Sequence, residues 1–278
     1  MRQLIVDQTP DKNGLVVLTG KDFRYLRQVL RVKSGDMVKL RLEDGKLQNS
    51  TVAKIDDNAK KITLQVCSTL RQTQGVGEVS SGVGEVLEPP LIEFTLFQFI
   101  PKPQKLELIV RQATECGVKN IVPVISEYAQ KGSIQALQGS KLERLERIVR
   151  EARQQSGSPV DTKVFEPVTV EEAIELWNKM KEEAGAEEKS AGFVLSERTV
   201  DDVSARPFDR LRDRSFHFGD RGTVCIFCGN EGGISPDELE LLTKKALLQP
   251  VHFSVNILRC ETAALYGIAA IQTNIFGF

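Results

Sequence analysis

The sequence predicts an α/β protein in two parts, a small β-rich N-terminal domain and a larger C-terminal domain with a mainly parallel sheet. Before residue 72, apolar and polar residues alternate in short segments that turn residues separate, which is typical of strands joined by hairpins. After residue 90, strand-like apolar runs alternate with helical patterns, which is typical of a parallel sheet with crossover helices.

The N-terminal domain, residues 1–71, has the pattern of a small β-barrel. Its four alternating segments are Leu15–Leu18, Met37–Leu42, Thr51–Ile55 and Ile62–Cys67. One amphipathic helix is predicted over Lys21–Arg31, and its apolar face contains Phe23, Leu26, Val29 and Leu30. The domain is therefore predicted to be a β-barrel interrupted by one helix.

Residues 72–90 form the predicted linker between the domains. The pentad Gly-Val-Gly-Glu-Val occurs twice, starting at Gly75 and at Gly82, and the segment ends in Pro89-Pro90. Such Gly- and Ser-rich sequence is typical of a linker or a long loop, and the duplication is too short to indicate a structural repeat.

The C-terminal domain, residues 91–278, contains the alternating strands and helices. The predicted strands are Ile92–Ile100, Ile121–Ile125, Gly192–Leu195, Val224–Cys228 and Val251–Asn256. Capping boxes, a Ser or Thr followed three residues later by Glu, predict three helix starts at Ser140/Glu143, Thr169/Glu172 and Ser235/Glu238. Residues 200–222 are polar without a clear period, so we expect an irregular surface segment there.

The distribution of charge favours a polyanionic partner for the N-terminal domain. The whole chain of 278 residues has a formal net charge of -1, which by itself argues against binding nucleic acid. Residues 1–71, however, contain 14 Lys or Arg against 8 Asp or Glu, a net charge of +6, whereas residues 72–278 have a net charge of -7. Because local fields attract polyanions, the basic domain is either a nucleic-acid surface or a solvated charged face.

Further observations limit the location and the chemistry. No run of 18 or more apolar residues occurs and no signal peptide is apparent, so neither a transmembrane helix nor secretion is predicted. Five cysteines, a sparse and odd number, favour reduced thiols and a cytoplasmic protein. Cys225 and Cys228 lie three apart in an apolar strand and point to opposite faces, so we expect core packing rather than a metal site. The isolated His217 and His252 do not indicate a hydrolytic triad.

The most informative stretch is a glycine-rich loop between a predicted strand and a capped helix. Strand Val224–Cys228 is followed by Gly229, then by Gly232 and Gly233, before the helix begins at Ser235-Pro236. Glycines let the backbone approach a ligand closely, and α/β folds bind ligands at the carboxyl ends of parallel strands. The loop is neither a Walker A nor a Rossmann motif. It is either a ligand loop or a tight strand-to-helix turn.

A second unusual stretch, residues 256–265, carries charge at an apolar strand-to-helix junction. Arg259 and Glu261 precede an Ala-rich helix, and charged residues in such surroundings need partners. They are therefore functional candidates, or else an ion pair that caps the helix. The small residues of the helix predict close packing against a neighbouring element.

Together the two stretches resemble the RsmE family of SPOUT methyltransferases. The matching residues are Gly229-x-Glu231-Gly232-Gly233-Ile234-Ser235-x-x-Glu238 and Ile257-Leu258-Arg259-x-Glu261-Thr262-Ala263. Weaker matches along the whole chain begin at Arg2, Tyr25, Lys102, Gln112 and Glu151. Members of that family use S-adenosylmethionine to methylate N3 of one uridine in the 16S rRNA of the small ribosomal subunit.

The resemblance implies a fold, partners and binding residues. It implies a PUA-like β-barrel that helps bind 16S rRNA, a SPOUT α/β domain with a deep trefoil knot, and a homodimer that holds S-adenosylmethionine in the knot loops without a metal. The cofactor-binding residues implied by position are Leu195, Ser196, Glu197, Gly229, Glu231, Gly232, Ile257, Leu258, Thr262 and Ala263. The RNA-binding candidates are Arg2, Arg24, Arg27, Arg31 and Lys102.

The chemistry of this reaction suggests roles for three charged residues. Uracil N3 carries a proton and is a poor nucleophile until that proton leaves. A carboxylate is a suitable proton acceptor, and a cation near O2 or O4 would stabilise the developing anion. Arg259 is the candidate cation, or it orders the cofactor loop. Glu115 and Glu261 are the candidates for orientation or proton transfer. The base must also be unstacked, so we expect an aromatic or Arg platform.

Several positions depart from the family pattern. Ser158 and Tyr128-Ala129 stand where the family usually has Arg and Arg-Ser, Asn230 replaces Pro, and Phe253-Ser254 replaces Leu-Gly. The first two changes remove arginines, so two alternatives stay open. One is a homologue that binds RNA and cofactor but has lost turnover, and the other is a methyltransferase acting on a different RNA site.

Overall fold

A computed structural model describes residues 3–67, 92–137, 140–184, 190–196, 206–207, 222–253 and 256–276. The chain divides into two compact units, Met1–Glu88 with Gln154–Pro159, and Pro89–Arg153 with Val160–Phe278. The predicted linker at residues 72–90 lies outside the described residues, so the domain limits stay a prediction. None of the described helices is long and apolar enough to cross a membrane.

The first unit is built on a five-stranded sheet. Its strands are β1 (Leu4–Ile5), β2 (Leu15–Leu18), β3 (Met37–Arg41), β4 (Leu47–Asp56) and β5 (Lys61–Val66). The order is β1-β3-β4-β5-β2, in which β1 and β3 are parallel and the other neighbours antiparallel. Alternation along the strands buries one face, including Leu40, Val52 and Leu64. The sequence pattern located four of these strands and missed the two-residue β1.

One helix of this unit changes its geometry midway. Helix α1 (Gly20–Arg24) continues as a π-helical turn over Tyr25–Val29. Phe23 and Leu26 are buried as predicted, but Val29 is 60% exposed, so its placement on the apolar face was wrong. A π-turn contains more residues than an α-turn, so the 3.6-residue spacing no longer brings Val29 onto the buried side.

The second unit contains a parallel seven-stranded sheet. Its strands are β6 (Ile92–Phe99), β7 (Asn120–Val124), β8 (Lys163–Val164), β9 (Ser190–Leu195), β10 (Arg206–Pro207), β11 (Gly222–Cys228) and β12 (Gln249–His252). The order is β10-β12-β9-β11-β6-β7-β8, and every pairing is parallel. The predicted α/β architecture is confirmed.

Helices cover both faces of this sheet. They are α2 (Pro103–Glu115), α3 (Lys131–Gln135), α4 (Ser140–Ser156), α5 (Val170–Glu183), α6 (Pro236–Glu240) with a π-turn over Leu241–Lys245, and α7 (Cys260–Phe276). Apolar residues of α2, α4 and α7 form one core cluster with one face of the sheet, and residues of α5 and α6 form the other. The Thr169/Glu172 and Ser235/Glu238 capping boxes are both present.

The central strand β11 separates the two cysteines as predicted. Cys228 belongs to the cluster with α2 and α7, whereas Cys225 belongs to the cluster with α5 and α6. Both thiols are free, and burial raises the pKa of each. Both cysteine side chains are therefore packed in the core, on opposite faces of the sheet.

Helix α7 packs very closely on the sheet. A Cβ added at Gly267 would lie 2.6 Å from the Ile226 Cδ1 and 2.9 Å from the Leu195 Cδ1. This contact confirms the close packing that the small residues predict, and it fixes the start of α7 beside the ends of β9 and β11. The trefoil knot that the resemblance implies stays a prediction, because the chain path includes residues 197–205, 208–221 and 254–255, which lie outside the described residues.

Candidate cofactor and active site

A cavity of about 480 Å³ lies at the carboxyl ends of β9, β11 and β12. These neighbouring strands are parallel, so the segments that follow them meet at one edge of the sheet. Three such segments border the cavity. They are Leu195 and Ser196 at the end of β9, residues 229–231 with 233–234 after β11, and residues 251–253, 256–260 and 263 around the end of β12 and the start of α7. Lys105 of α2 completes the lining.

The glycine loop after β11 is tightly folded. A Cβ added at Gly229 would lie 2.8 Å from the Gly233 carbonyl carbon, and Gly233 has a φ of +80°. The Gln98 side-chain amide donates hydrogen bonds to the Cys228 and Gly229 carbonyls at 3.2 and 3.1 Å. Close backbone approach and positive φ explain why glycines occupy these positions.

Asn230, which replaces the family's proline, holds the loop through its side chain. Its Oδ1 accepts a hydrogen bond from the Gly232 N–H at 2.8 Å, and its Nδ2 donates to the Ile100 carbonyl at 3.3 Å and to the Ser126 Oγ at 3.1 Å. The side chain is 6% exposed. Hydrogen bonds therefore give this loop the rigidity that a proline ring gives by restricting φ.

Tyr128 packs against the same loop. A Cβ added at Gly232 would lie 2.8 Å from the Tyr128 Cβ, while the tyrosine side chain is 39% exposed. The preceding residue is held firmly, because the Glu127 N–H donates to the Glu238 Oε1 at 2.7 Å. Glu238 also belongs to the capping box of α6. Tyr128 is thus a partly exposed aromatic side chain on a rigid support.

A polar cluster links the two loops of the cavity through Lys105. Its Nζ lies 3.1 Å from the Glu261 Oε2, 3.6 Å from the Glu231 Oε1 and 3.8 Å from the Cys260 Sγ. Glu231 also accepts the Lys102 backbone N–H at 3.2 Å, and the Cys260 thiol donates to the Glu261 Oε2 at 3.2 Å. The segments after β11 and β12 are therefore joined at one cation.

These contacts set the ionisation of the cluster. The hydrogen bond to Glu261 raises the pKa of Lys105. Burial opposes ionisation of Glu261, but hydrogen bonds from its own backbone, Lys105 and Cys260 outweigh it and lower the pKa of that carboxyl. Burial, and then the bond to Glu261, raises the pKa of Cys260 to about 12. At neutral pH the cluster contains an ammonium, a carboxylate at Glu261 and a neutral thiol.

The structure brings most of the sequence-derived site residues to the cavity. The cofactor and catalytic candidates that line it are Leu195, Ser196, Gly229, Glu231, Ile257, Leu258, Arg259 and Ala263. Gly232, Glu261 and Thr262 are next to lining residues without lining the cavity themselves, and Glu197 lies outside the described residues. Glu115 is exposed at the carboxyl end of α2, about 15 Å along the helix from Lys105.

The RNA-binding candidates are in varied environments. Arg24 and Arg31 are exposed, and Arg2 lies outside the described residues. Arg27 forms two hydrogen bonds to the Asp57 carboxylate at 2.9 and 2.7 Å. Lys102 is exposed at the start of α2. Arg24 also donates from its Nε to the Gly20 carbonyl at 3.4 Å. Arg24 and Arg31 are thus the exposed arginines among the described candidates, whereas Arg27 is held by its ion pair with Asp57.

Sequence reasoning missed Lys105. Lys102 matches the family's lysine in the sequence, but Lys105 lines the cavity and Lys102 is exposed. The two lysines are three residues apart, about one helical turn, so the motif alone did not distinguish them. The available signal was that Pro103 starts the helix, which places Lys105 inside its first turn.

The fold and the site together define a class of protein: an α/β protein with a glycine-lined ligand cavity at the edge of a parallel sheet, accompanied by a separate unit built on a mixed β-sheet. Family models identify both parts. The model described as RNA methyltransferase domain matches residues 87–272, and the one described as RNA methyltransferase PUA domain matches residues 18–65. The chain belongs to this RNA methyltransferase family, and the resemblance of its motifs to RsmE methyltransferases is confirmed.

Curated relatives and solved structures agree with this family. Ribosomal RNA small subunit methyltransferase E of Rickettsia conorii is 28% identical over 89% of this chain and 85% of its own length. Ribosomal RNA small subunit methyltransferase E 2 of Borreliella burgdorferi is 26% identical over 97% of this chain and 96% of its own length. The structure of ribosomal RNA small subunit methyltransferase E from Neisseria gonorrhoeae, bound to S-adenosyl methionine, has a TM-score of 0.70 at 23% identity and covers 98% of this chain and 97% of that one. At 23% sequence identity, this structural likeness shows that the two chains share a fold.

Proposed function

We propose that this protein transfers a methyl group from S-adenosylmethionine to N3 of a uridine in the 16S rRNA of the small ribosomal subunit. The observation that carries the proposal is the cavity beside the glycine loop. The chain belongs to an RNA methyltransferase family, and its relatives are named as ribosomal RNA small subunit methyltransferases. A cytoplasmic location agrees with five cysteines that are all free thiols.

The cavity suits S-adenosylmethionine in size and chemistry. Its volume of about 480 Å³ is typical of small-molecule sites. Leu195, Ile234 and Leu258 offer apolar surface for an adenine ring, and the Glu231 carboxylate suits an ammonium or hydroxyl group. We assign the cofactor to these elements, with the remaining sequence-derived positions supporting the same loops.

The reacting groups follow from the charges around the cavity. S-adenosylmethionine supplies an electrophilic methyl group when bound. Glu261, ionised beside Lys105, accepts the proton of uracil N3, and Arg259 stabilises the negative charge that spreads to O2 and O4. Glu115 stands at the far end of α2, so Glu261 is the better proton acceptor.

The departures from the family pattern favour an active enzyme over a binding homologue. Ser158 is buried in the first unit, where its carbonyl accepts a hydrogen bond from the Gln3 Nε2 at 3.2 Å, and it does not line the cavity. Tyr128 offers an exposed ring beside the glycine loop. Aromatic rings stack on unpaired bases, so Tyr128 supplies the platform that an extruded uridine requires.

Methyl transfer from labelled S-adenosylmethionine to small ribosomal subunits tests the function. We expect one labelled nucleoside, identified by mass spectrometry as N3-methyluridine. Label at a different nucleoside would favour a methyltransferase with another RNA site. Absence of label, with cofactor binding intact by calorimetry, would favour the homologue that has lost turnover.

We propose that the first unit binds RNA through its exposed arginines, and Arg31→Gly provides a test. Arg31 has a φ of +53°, which costs most L-residues about 1 kcal/mol and glycine nothing. The variant is therefore expected to raise the free energy of unfolding by about 1 kcal/mol in denaturant titrations. It is also expected to weaken RNA binding. The slope of log affinity against log salt should become shallower by about 0.9, the contribution of one phosphate contact.

Leu247→Gly is the matched control for Arg31→Gly. Leu247 has a φ of +54° in the same arrangement after a π-turn, but it lies in the second unit and carries no charge. It should give the same gain in stability with unchanged RNA affinity. If Arg31→Gly leaves RNA affinity and its salt dependence unchanged, Arg31 belongs to a solvated face.

We propose that a second copy of the chain covers the exposed face of α7. Ile257 is 82% exposed and Tyr266 is 46% exposed beside the cavity segment, where the Tyr266 ring packs edge-on against Phe253 at 4.6 Å between centroids. Large apolar side chains exposed beside a ligand site are typical of an interface. A homodimer would bury both.

Sedimentation equilibrium of a Tyr266→Asp variant tests the dimer. We expect a dimeric wild type and a shift of the variant towards monomer, because a carboxylate in an apolar interface is not solvated. Leu247→Asp is the control, since Leu247 is 80% exposed elsewhere in the second unit and should leave the dimer intact. A monomeric wild type at micromolar concentration would contradict the proposal.

A further inference from the structure

Lys105 occupies an unusual position between the two loops of the cavity. Its ammonium contacts Glu231 from the loop after β11 and Glu261 from the first turn of α7, at 3.6 and 3.1 Å. The two carboxylate oxygens are therefore within about 7 Å of each other. The three side chains are 26%, 32% and 16% exposed, so water screens their interactions only partly.

We infer that Lys105 is a positioning residue for methyl transfer, which holds Glu231 and Glu261 in place and keeps the Glu261 carboxylate ready to accept the N3 proton. This inference rests on the proposed function. In the step it supports, the N3–H bond breaks and its proton moves to the Glu261 carboxylate. The electron pair stays on N3 and forms the bond to the methyl carbon, while the carbon–sulfur bond breaks and its pair remains on sulfur.

The groups around Glu261 explain why the positive charge of Lys105 controls whether Glu261 is ionised. Lys105 faces it from α2, Cys260 donates to it from the same helix, Glu231 shares the lysine, and Arg259 lines the adjoining cavity. Without Lys105, the Glu231 and Glu261 carboxylates would stand close together, and Glu261 would keep the neutral hydrogen bonds from its own backbone and from the Cys260 thiol. Like charges at this separation favour protonation of one carboxyl, and a protonated Glu261 cannot accept the N3 proton.

A structural role alone does not account for this arrangement. Partly exposed ion pairs contribute little to stability, and both loops already have other attachments. The glycine loop is held by Gln98 and Asn230, and α7 is held by the close contact at Gly267. Lys105 is the described cation that joins both carboxylates at the cavity wall, where the reacting base would meet the cofactor.

The pH profile of kcat in a Lys105→Met variant tests the inference. With saturating RNA and S-adenosylmethionine, we expect kcat at pH 7 to fall on the order of 100-fold and the acid limb of the profile to move to higher pH by about one unit or more. Lys105→Arg, which keeps the charge, should restore the acid limb to its wild-type position. Glu231 keeps its hydrogen bond from the Lys102 backbone N–H at 3.2 Å in this variant. The dissociation constant of S-adenosylmethionine, measured by calorimetry, should therefore change less than about threefold, well below the change in kcat.

A second readout does not depend on turnover. The folded-state pKa of Glu261 is lowered, so its contribution to stability is present above the unfolded pKa of about 4.3 and disappears as the pH falls through the folded pKa. The melting temperature of Lys105→Met should therefore fall further below that of the wild type at pH 7 than at pH 4. If the Met variant does not fold, Lys105→Gln replaces it in both measurements.

Lys244→Met is the matched control. Lys244 also pairs with a carboxylate, Glu240 at 2.6 Å, but it is 70% exposed and does not line the cavity. Its pH profile should be that of the wild type.

A folded Lys105→Met enzyme with a wild-type acid limb overturns the inference, and so does one that has lost cofactor binding, because Lys105 would then be a cofactor ligand. A wild-type enzyme without methyl transfer refutes the proposed function instead, a result distinct from both.

Discussion

Replacing Arg259 with alanine is expected to lower kcat for methyl transfer by about 100- to 1,000-fold. Arg259 lines the cavity immediately before α7 and is an exposed residue. When uracil N3 loses its proton, negative charge spreads to O2 and O4, and a cation placed beforehand stabilises that charge without reorganising solvent. The effect should therefore appear in kcat at saturating RNA, with a small change in cofactor affinity.

Two comparisons make the Arg259 result specific. Arg259→Lys should recover part of kcat, because it keeps the charge and loses the planar guanidinium. Arg144→Ala should behave as the wild type, since Arg144 is 58% exposed and pairs with Glu107 on α2 rather than lining the cavity. Normal turnover by Arg259→Ala at saturating RNA would contradict the role assigned to Arg259. A large rise in the cofactor dissociation constant with kcat preserved would show that Arg259 orders the cofactor loop.

Gly229→Ala is expected to weaken S-adenosylmethionine binding by roughly 5- to 150-fold, the equivalent of about 1–3 kcal/mol of overpacking. The new Cβ would lie 2.8 Å from the Gly233 carbonyl carbon, a backbone atom that cannot rotate away. The loop would have to open, and the hydrogen bonds from Gln98 and Asn230 that shape it would be strained. Calorimetric titration with S-adenosylmethionine measures the effect directly.

Gly132→Ala is the control for Gly229→Ala. Gly132 lies in helix α3 and a Cβ added there meets no atom within 4 Å. Alanine in a helix is favoured over glycine by about 1 kcal/mol, so this variant should keep its cofactor affinity and melt slightly higher. Cofactor affinity that is unchanged in Gly229→Ala would mean that the loop does not hold the cofactor.

Local patterns predicted those parts of the molecule that local physics controls. The capping boxes at Thr169 and Ser235 form as expected, because both partners lie within one helical turn. The Cys225 and Cys228 side chains enter opposite cores, because residues three apart on a strand face opposite ways. The same reasoning located the glycine loop, since only its glycines allow the close return of Gly233 onto Gly229.

Patterns were less informative where the outcome depends on distant neighbours. Val29 has the spacing of a core residue, but the π-turn moves it to the surface. Arg27 was a candidate for RNA, yet Asp57, thirty residues away in the sequence, holds its guanidinium. Lys105 was overlooked because its partners Glu231 and Glu261 come from elements more than a hundred residues later in the chain.

The sequence by itself determined the two-part α/β organisation, the family and the loops that surround the cavity. Those features depend on periodicity, turn chemistry and short motifs, which are encoded within a few neighbouring residues. Only the tertiary structure decided which charges meet. The parallel order of β9, β11 and β12 brings three chain segments to one edge, and the N-terminal turn of α2 places the Lys105 ammonium between two of them. Electrostatic roles depend on distance and burial in space, so they emerge when the folded sheet brings those segments together.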